Sequence, residues 1–379
     1  MKQIPLFGVP RLPEMEAAAL EVLRSGQIAS GKYVQMFEQG IGNLVGQSHV
    51  VSTHDMTSAL FLALHLAGVR SGDEVLTTAF SCMSTNSAIA HCGAVPVWVD
   101  VCPSSVEMDV ADAARKLSDK TKAVVMYHVA GYPGPAREMA ELCKARGIAF
   151  IEDCNNALFA LQDGAHVGGL ADFSIYSFYP NRQINCIDGG ALVCKSAEMA
   201  TKARQLRRFG IDGTVFRTAD GEINPAADIP EIGWTYTMSN VSAALGCAQL
   251  DTARGRVDQA RTNVARLATR LAGAKGITTM NVASGADAAY WVMLCLAENR
   301  DALLQRLKSQ GVSASILHHR NDTYSGFHAI GQAPLPHTTD LQSRIIALPC
   351  GWWLSEADVD AIGEICAHAV ADLQNHIQS

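Results

Sequence analysis

Residues 14–188 alternate between two kinds of hydrophobic pattern. In residues 14–24, 57–67 and 138–146 the apolar positions recur three and four apart, the spacing of one face of a helix. Between them lie short apolar runs bounded by Gly, Pro and Asp, at 74–77, 95–99, 123–128 and 148–152. Apolar strands that alternate with amphipathic helices predict an α/β fold with a mostly parallel sheet covered on both faces. Ligands bind such sheets beyond the carboxyl ends of the strands. The residues to inspect there are Cys82, His128, Asp153 and Ser177. Residues 210–231 are rich in Gly, Pro, Asp and Thr and read as a long loop, functional or mobile. A helical region begins at 241–250, alternation then weakens, and the chain ends in a helix over 356–375. We place a boundary there: residues 1–250 form a large α/β domain with the pocket, and residues 251–379 a smaller α+β domain.

Composition narrows the function. The chain has 379 residues, 48% hydrophobic and 18% charged, enough for a sizeable core. Its net charge of −7 and the lack of any basic tract argue against nucleic acid or anionic membrane as partners. The N-terminal residues do not read as a signal peptide. No apolar run approaches the ~18–20 residues of a membrane helix. Eleven singly scattered cysteines read as reduced thiols of a cytoplasmic protein. No cysteine or histidine spacing suits a zinc site, so no metal is expected.

Six motifs in order carry a resemblance. Ser25-Gly26 with Gly31, Gly72-Asp73-Glu74-Val75, His128 with Gly131, Ile151-Glu152-Asp153, Gly233-Trp234 through Met238-Ser239, and Leu348-Pro349 with Leu354-Ser355 are spread along nearly the whole chain. Together with Ser177-Phe178-Tyr179-Pro180-Asn181-Arg182 and Asp188-Gly189-Gly190 they resemble the DegT/StrS family of sugar aminotransferases, which are fold-type-I pyridoxal-phosphate (PLP) enzymes. The resemblance implies a homodimer with interface active sites, and a small substrate, either a nucleotide-linked sugar or another biosynthetic intermediate. It implies that Asp153 pairs with the cofactor's ring nitrogen. It also implies that the hydroxyls of Thr57 and Ser177 hold the phosphate, Thr57 at a helix N-terminus, with Ser58 and Asn156 beside the cofactor.

Other positions depart from the family pattern. Met56 stands where a small residue is usual, Cys82 for the ring-stacking aromatic and Asn156 for a glutamine. Tyr179 stands for a histidine, and Thr235 and Thr237 for an interface asparagine and arginine. Arg182 stands for the lysine that forms the Schiff base. A guanidinium stays protonated and can neither form an imine nor shuttle a proton. Ordinary transamination is therefore not expected.

Three readings remain. PLP or pyridoxamine phosphate (PMP) is held non-covalently, with Tyr179 or a substrate group moving protons. Alternatively the cofactor is lost and Cys82 acts as nucleophile, with His128 as base and Asp153 orienting it, in acyl-type group transfer. In the third, the chain is a non-catalytic partner of an active paralogue. Arg182 either binds an anion with its planar fork or pairs with Asp153 or Asp188 to close an empty pocket. Asp153 read blandly caps a helix, and Cys82 read blandly is packing. His318 and His319 resemble a His-Tyr pair near the substrate.

Overall fold

The computed structural model describes residues 2–327 and 333–378. Strands β1 (Val50–Thr53), β2 (Glu74–Thr78), β3 (Val95–Val99), β4 (Thr121–Tyr127) and β5 (Ala149–Asp153) come first, followed by the two-residue strands β6 (Leu161–Gln162) and β7 (Ala165–His166). β8 (Phe173–Ser177) and β9 (Gly190–Cys194) complete a seven-stranded sheet in the order β1-β9-β8-β5-β4-β2-β3. Only β9 runs against the others. Helices α1 (Pro13–Ser25), α2 (Lys32–Val45), α3 (Met56–Leu66), α4 (Met83–His91), α5 (Val110–Lys116) and α6 (Ala136–Arg146) alternate with the first strands, and α7 (Ala197–Leu206) follows β9.

Helices cover both faces of this sheet, so its strands are apolar in continuous runs. Val124, Val125 and Met126 of β4 are all fully buried. Helix α3 sits deepest. Seven of its eleven residues, Met56, Ser58, Ala59, Leu60, Leu62, Ala63 and Leu64, are buried, as expected of a helix that is apolar on nearly every side. Its start is fixed by Asp55, whose Oδ1 accepts the Ser58 amide at 2.7 Å.

Residues 207–239 contain no helix or strand. The helical region beyond is broken into α8 (Asn240–Cys247) and α9 (Ala253–Leu271). The last part of the chain folds β10 (Ile277–Thr279), β12 (Met293–Ala297) and β13 (Ile345–Leu348) into a small antiparallel sheet, while β11 (Ala286–Asp287) pairs with β6. Helices α9, α10 (Arg300–Ser309) and α12 (Glu356–Gln378) pack on this sheet through Leu267, Leu271, Leu303, Leu307 and Ile362, and α11 (Pro336–Arg344) precedes β13. No helix among the described residues is long and apolar enough to cross a membrane. All eleven cysteines are free.

Candidate active site

The loops after β1, β2, β4, β5 and β8 meet at the carboxyl end of the large sheet, and the chain around residue 318 closes over them. Asp153, the last residue of β5, is fully buried. Its Oδ2 accepts the Thr85 hydroxyl of α4 at 2.6 Å, and its Oδ1 accepts the Asn155 backbone and side-chain N–H at 3.0 and 2.9 Å. Burial pushes its carboxyl above the usual range, and these donors pull it back only in part.

Arg182 lies in the turn after β8, where its backbone N–H donates to the Tyr179 carbonyl at 2.9 Å. It is only 8% exposed. Nη1 donates to Asn181 Oδ1 at 2.6 Å and Nη2 to Asn155 Oδ1 at 3.2 Å, while Nε has no partner among the described residues. The guanidinium stands 4.6 Å from the centre of the Trp291 ring. It makes no salt bridge to Asp153 or Asp188. Asn155 instead links Arg182 to Asp153, accepting from the first and donating to the second.

The wall behind Arg182 comes from the C-terminal part of the chain. Trp291 stacks on Phe7 at 4.5 Å and donates its indole N–H to the Asn181 carbonyl at 3.1 Å. His318 stacks next to it and places Nε2 3.2 Å from the Tyr127 hydroxyl. That hydroxyl donates to Asn156 Oδ1 and accepts the Ala130 N–H, so the His318 Nε2 carries the proton between them. Burial and the Arg182 charge push the imidazole down to about 4. Asn156 keeps a buried side-chain N–H pair without a partner. Asn321 holds this wall in place, donating to the Ser81 carbonyl at 3.1 Å and accepting from Asn86 at 2.8 Å.

Other expected residues fall elsewhere. His128 is fully buried beneath the strand ends, where its Nδ1 accepts the Gly134 N–H at 2.9 Å and its Nε2 lies 3.1 Å from Glu152 Oε1. Both nitrogens are committed, so the structure does not bring His128 to Cys82 as a base. The cause is strand alternation: Glu152 and Asp153 point to opposite faces of β5, and His128 follows Glu152. Cys82 is half-buried before α4, and its Sγ accepts the Ser84 hydroxyl at 3.1 Å. His319 turns outward to Thr323 Oγ1 at 3.0 Å, so the histidine pair is split and only His318 faces the pocket. Tyr179 is exposed at the mouth.

The charge around the expected phosphate end differs from what an anionic cofactor favours. Ser177 pairs in register with Gly190, whose backbone packs against Asp55 and Met56, so the expected phosphate site is assembled at the start of α3. Yet Asp55 places a carboxylate on the Ser58 amide at the start of α3, and Asp188 stands close enough for Asp55 to help raise its pKa, after burial. Ser58 is drawn into the same group, with Oγ 3.3 Å from His54 Nε2, which also touches Asp55 Oδ2 at 2.8 Å. Asp153 suits a protonated ring nitrogen, whereas the carboxylates of Asp55 and Asp188 disfavour a phosphate at the other end. Among the described residues no cluster of His, Cys, Asp or Glu could hold a metal ion.

Asp55, Asn155, Tyr127 and Trp291 escaped the sequence reading. Asp55 had a signal, since it precedes the α3 pattern as a helix cap. Trp291 had none, because it reaches the pocket only through the tertiary fold.

A mostly parallel sheet of this order with a pocket at its strand ends is the architecture of fold-type-I aminotransferases. The chain belongs to the DegT/DnrJ/EryC1/StrS aminotransferase family, whose profile matches residues 12–367. It is 28% identical to GDP-perosamine synthase of Vibrio cholerae over 372 residues, 96% of this chain and 97% of that protein. AtS13 from Actinomadura melliaura superposes with a TM-score of 0.92 at 30% identity, covering 97% of this chain and 99% of that one. The sugar aminotransferase CalS13 from Micromonospora echinospora gives 0.91 at 29% identity, over 96% and 99% of the two chains.

Proposed function

We propose that this chain is an enzyme of sugar or secondary-metabolite biosynthesis that has left lysine-dependent transamination. The observation that carries the proposal is Arg182, buried and fixed on Asn155, Asn181 and Trp291 where the family resemblance places the cofactor lysine. The carboxylates of Asp55 and Asp188 at the phosphate end support loss of the cofactor over its non-covalent retention. A small, nucleotide-linked sugar substrate is in keeping with the relation to GDP-perosamine synthase. Asp153 is the group best placed to hold a proton for such a substrate, because burial favours its neutral form. The Cys82 reading loses support with the commitment of His128 to Gly134 and Glu152. We further propose a homodimer, consistent with exposed Tyr179, Ile187 and Phe209.

The test is an amino-transfer assay with a keto-sugar nucleotide, an amino-acid donor and added PLP. No amino sugar is expected from the wild-type protein. Sustained turnover would overturn the proposal.

A further inference from the structure

We infer that the pocket around Arg182 is a carboxylate-binding subsite, and that the substrate carries a carboxylate. The inference rests on reading Arg182 as a replacement for the cofactor lysine.

Two buried donors in one cluster lack an acceptor. They are Nε of Arg182 and Nδ2 of Asn156. The cluster is continuous: Arg182 lies against Trp291, Trp291 against His318, His318 against Tyr127, and Tyr127 bonds Asn156. Buried polar groups are normally hydrogen-bonded, and an orphan requires a reason. The neighbouring protein groups do not supply one. The acceptor oxygens of Asn155, Asn181 and Asn156 are already used, and the His318 Nε2–H is itself a donor. The site is therefore short of acceptors, and the one buried carboxyl nearby, Asp153, bonds Thr85 and Asn155 rather than the guanidinium, which leaves the free edge of Arg182 to an oxyanion.

Shape favours a carboxylate over a phosphate. A guanidinium has five N–H groups in a fixed plane. Arg182 uses two of them on asparagine oxygens, and one of those left is the buried Nε–H. A flat carboxylate meets such an edge with two parallel bonds. A phosphate would also draw on a helix N-terminus, and the start of α3, where the family resemblance places the phosphate, is capped by the Asp55 carboxylate.

Calorimetric titration of the full-length chain, without cofactor, tests this. The probes are glucuronate, glucose and glucose 6-phosphate, which share a ring and differ in carboxylate, hydroxymethyl or phosphate. Glucuronate is expected to bind saturably and glucose not. Arg182→Gln and Asn156→Ser are each expected to weaken glucuronate roughly 10- to 100-fold. Arg182→Lys, which keeps the charge and loses the fork, is expected to weaken it as well. If Arg182→Gln fails to fold, Asn156→Ser keeps the buried cation and decides the matter. Glucose 6-phosphate binding as tightly as glucuronate would overturn the carboxylate assignment. So would equal affinity for all three sugars, no binding of any, or variants that bind like the wild type. None of these readings depends on turnover, so they stand apart from the amino-transfer assay.

Discussion

Asp55→Asn removes one negative charge from the start of α3 and leaves the helix cap in place. Asn and Asp cap helices about equally well, and the Ser58 amide held at 2.7 Å can donate to the asparagine oxygen instead. Little change in stability is expected. A phosphate on the same amides would lie roughly 4 Å from the carboxylate, where two unit charges interact by about 4 kcal/mol at an effective dielectric of about 20, and about 1 kcal/mol in water. The Asp55 side chain is 29% exposed, so water screens it and the lower part of that range applies. About 1–2 kcal/mol corresponds to roughly a 5- to 30-fold change in dissociation constant. The assay is titration of wild type and variant with PLP, followed by tryptophan fluorescence at low and high salt. The variant is expected to bind more tightly, and the gap to narrow as salt rises. Equal affinities, or weaker binding by the variant, would refute the placement of Asp55 where a phosphate would sit.

Two further predictions concern the surroundings of the pocket. Glu152 is fully buried and accepts from the Gly168, Leu170 and Ala171 amides and from His128. Glu152→Gln turns an amide donor toward these donors and is expected to cost about 2–4 kcal/mol in chemical denaturation; an unchanged midpoint would contradict this. His318 has a folded pKa near 4, below the ordinary 6.5, so the unfolded chain binds its proton first. Its contribution is present above pH 6.5 and is lost as pH falls toward 4. Because its ring is partly exposed, we expect the wild type to lose about 1–2 kcal/mol more than His318→Gln across that window, and parallel pH curves for the two would contradict the assignment.

Much of the architecture could be read from the chain because it rests on local pattern. Alternating apolar runs announced β2 to β5, and strand ends announced Asp153 and Ser177. Arg182 could be read as well, since it stands within a dense motif. What the sequence reading missed depends on which face a side chain takes and on distant partners. His128 follows β4 as expected, yet one-residue alternation along β5 sends Glu152, and His128 with it, away from the pocket. His318 and His319 are adjacent and face opposite ways. Trp291 reaches Arg182 and is backed by Phe7 from the far end of the chain, and neither carries a local signal for doing so.

We propose above all that Arg182 stands in place of the cofactor lysine and that the chain has left pyridoxal chemistry. The most direct test is to saturate the purified protein with PLP, reduce with borohydride and map any adduct by peptide mass. The account predicts no imine absorbance beyond that of surface lysines, and no reduced adduct on any residue of the pocket. A stoichiometric adduct within the pocket, with the absorbance of a bound imine, would contradict it.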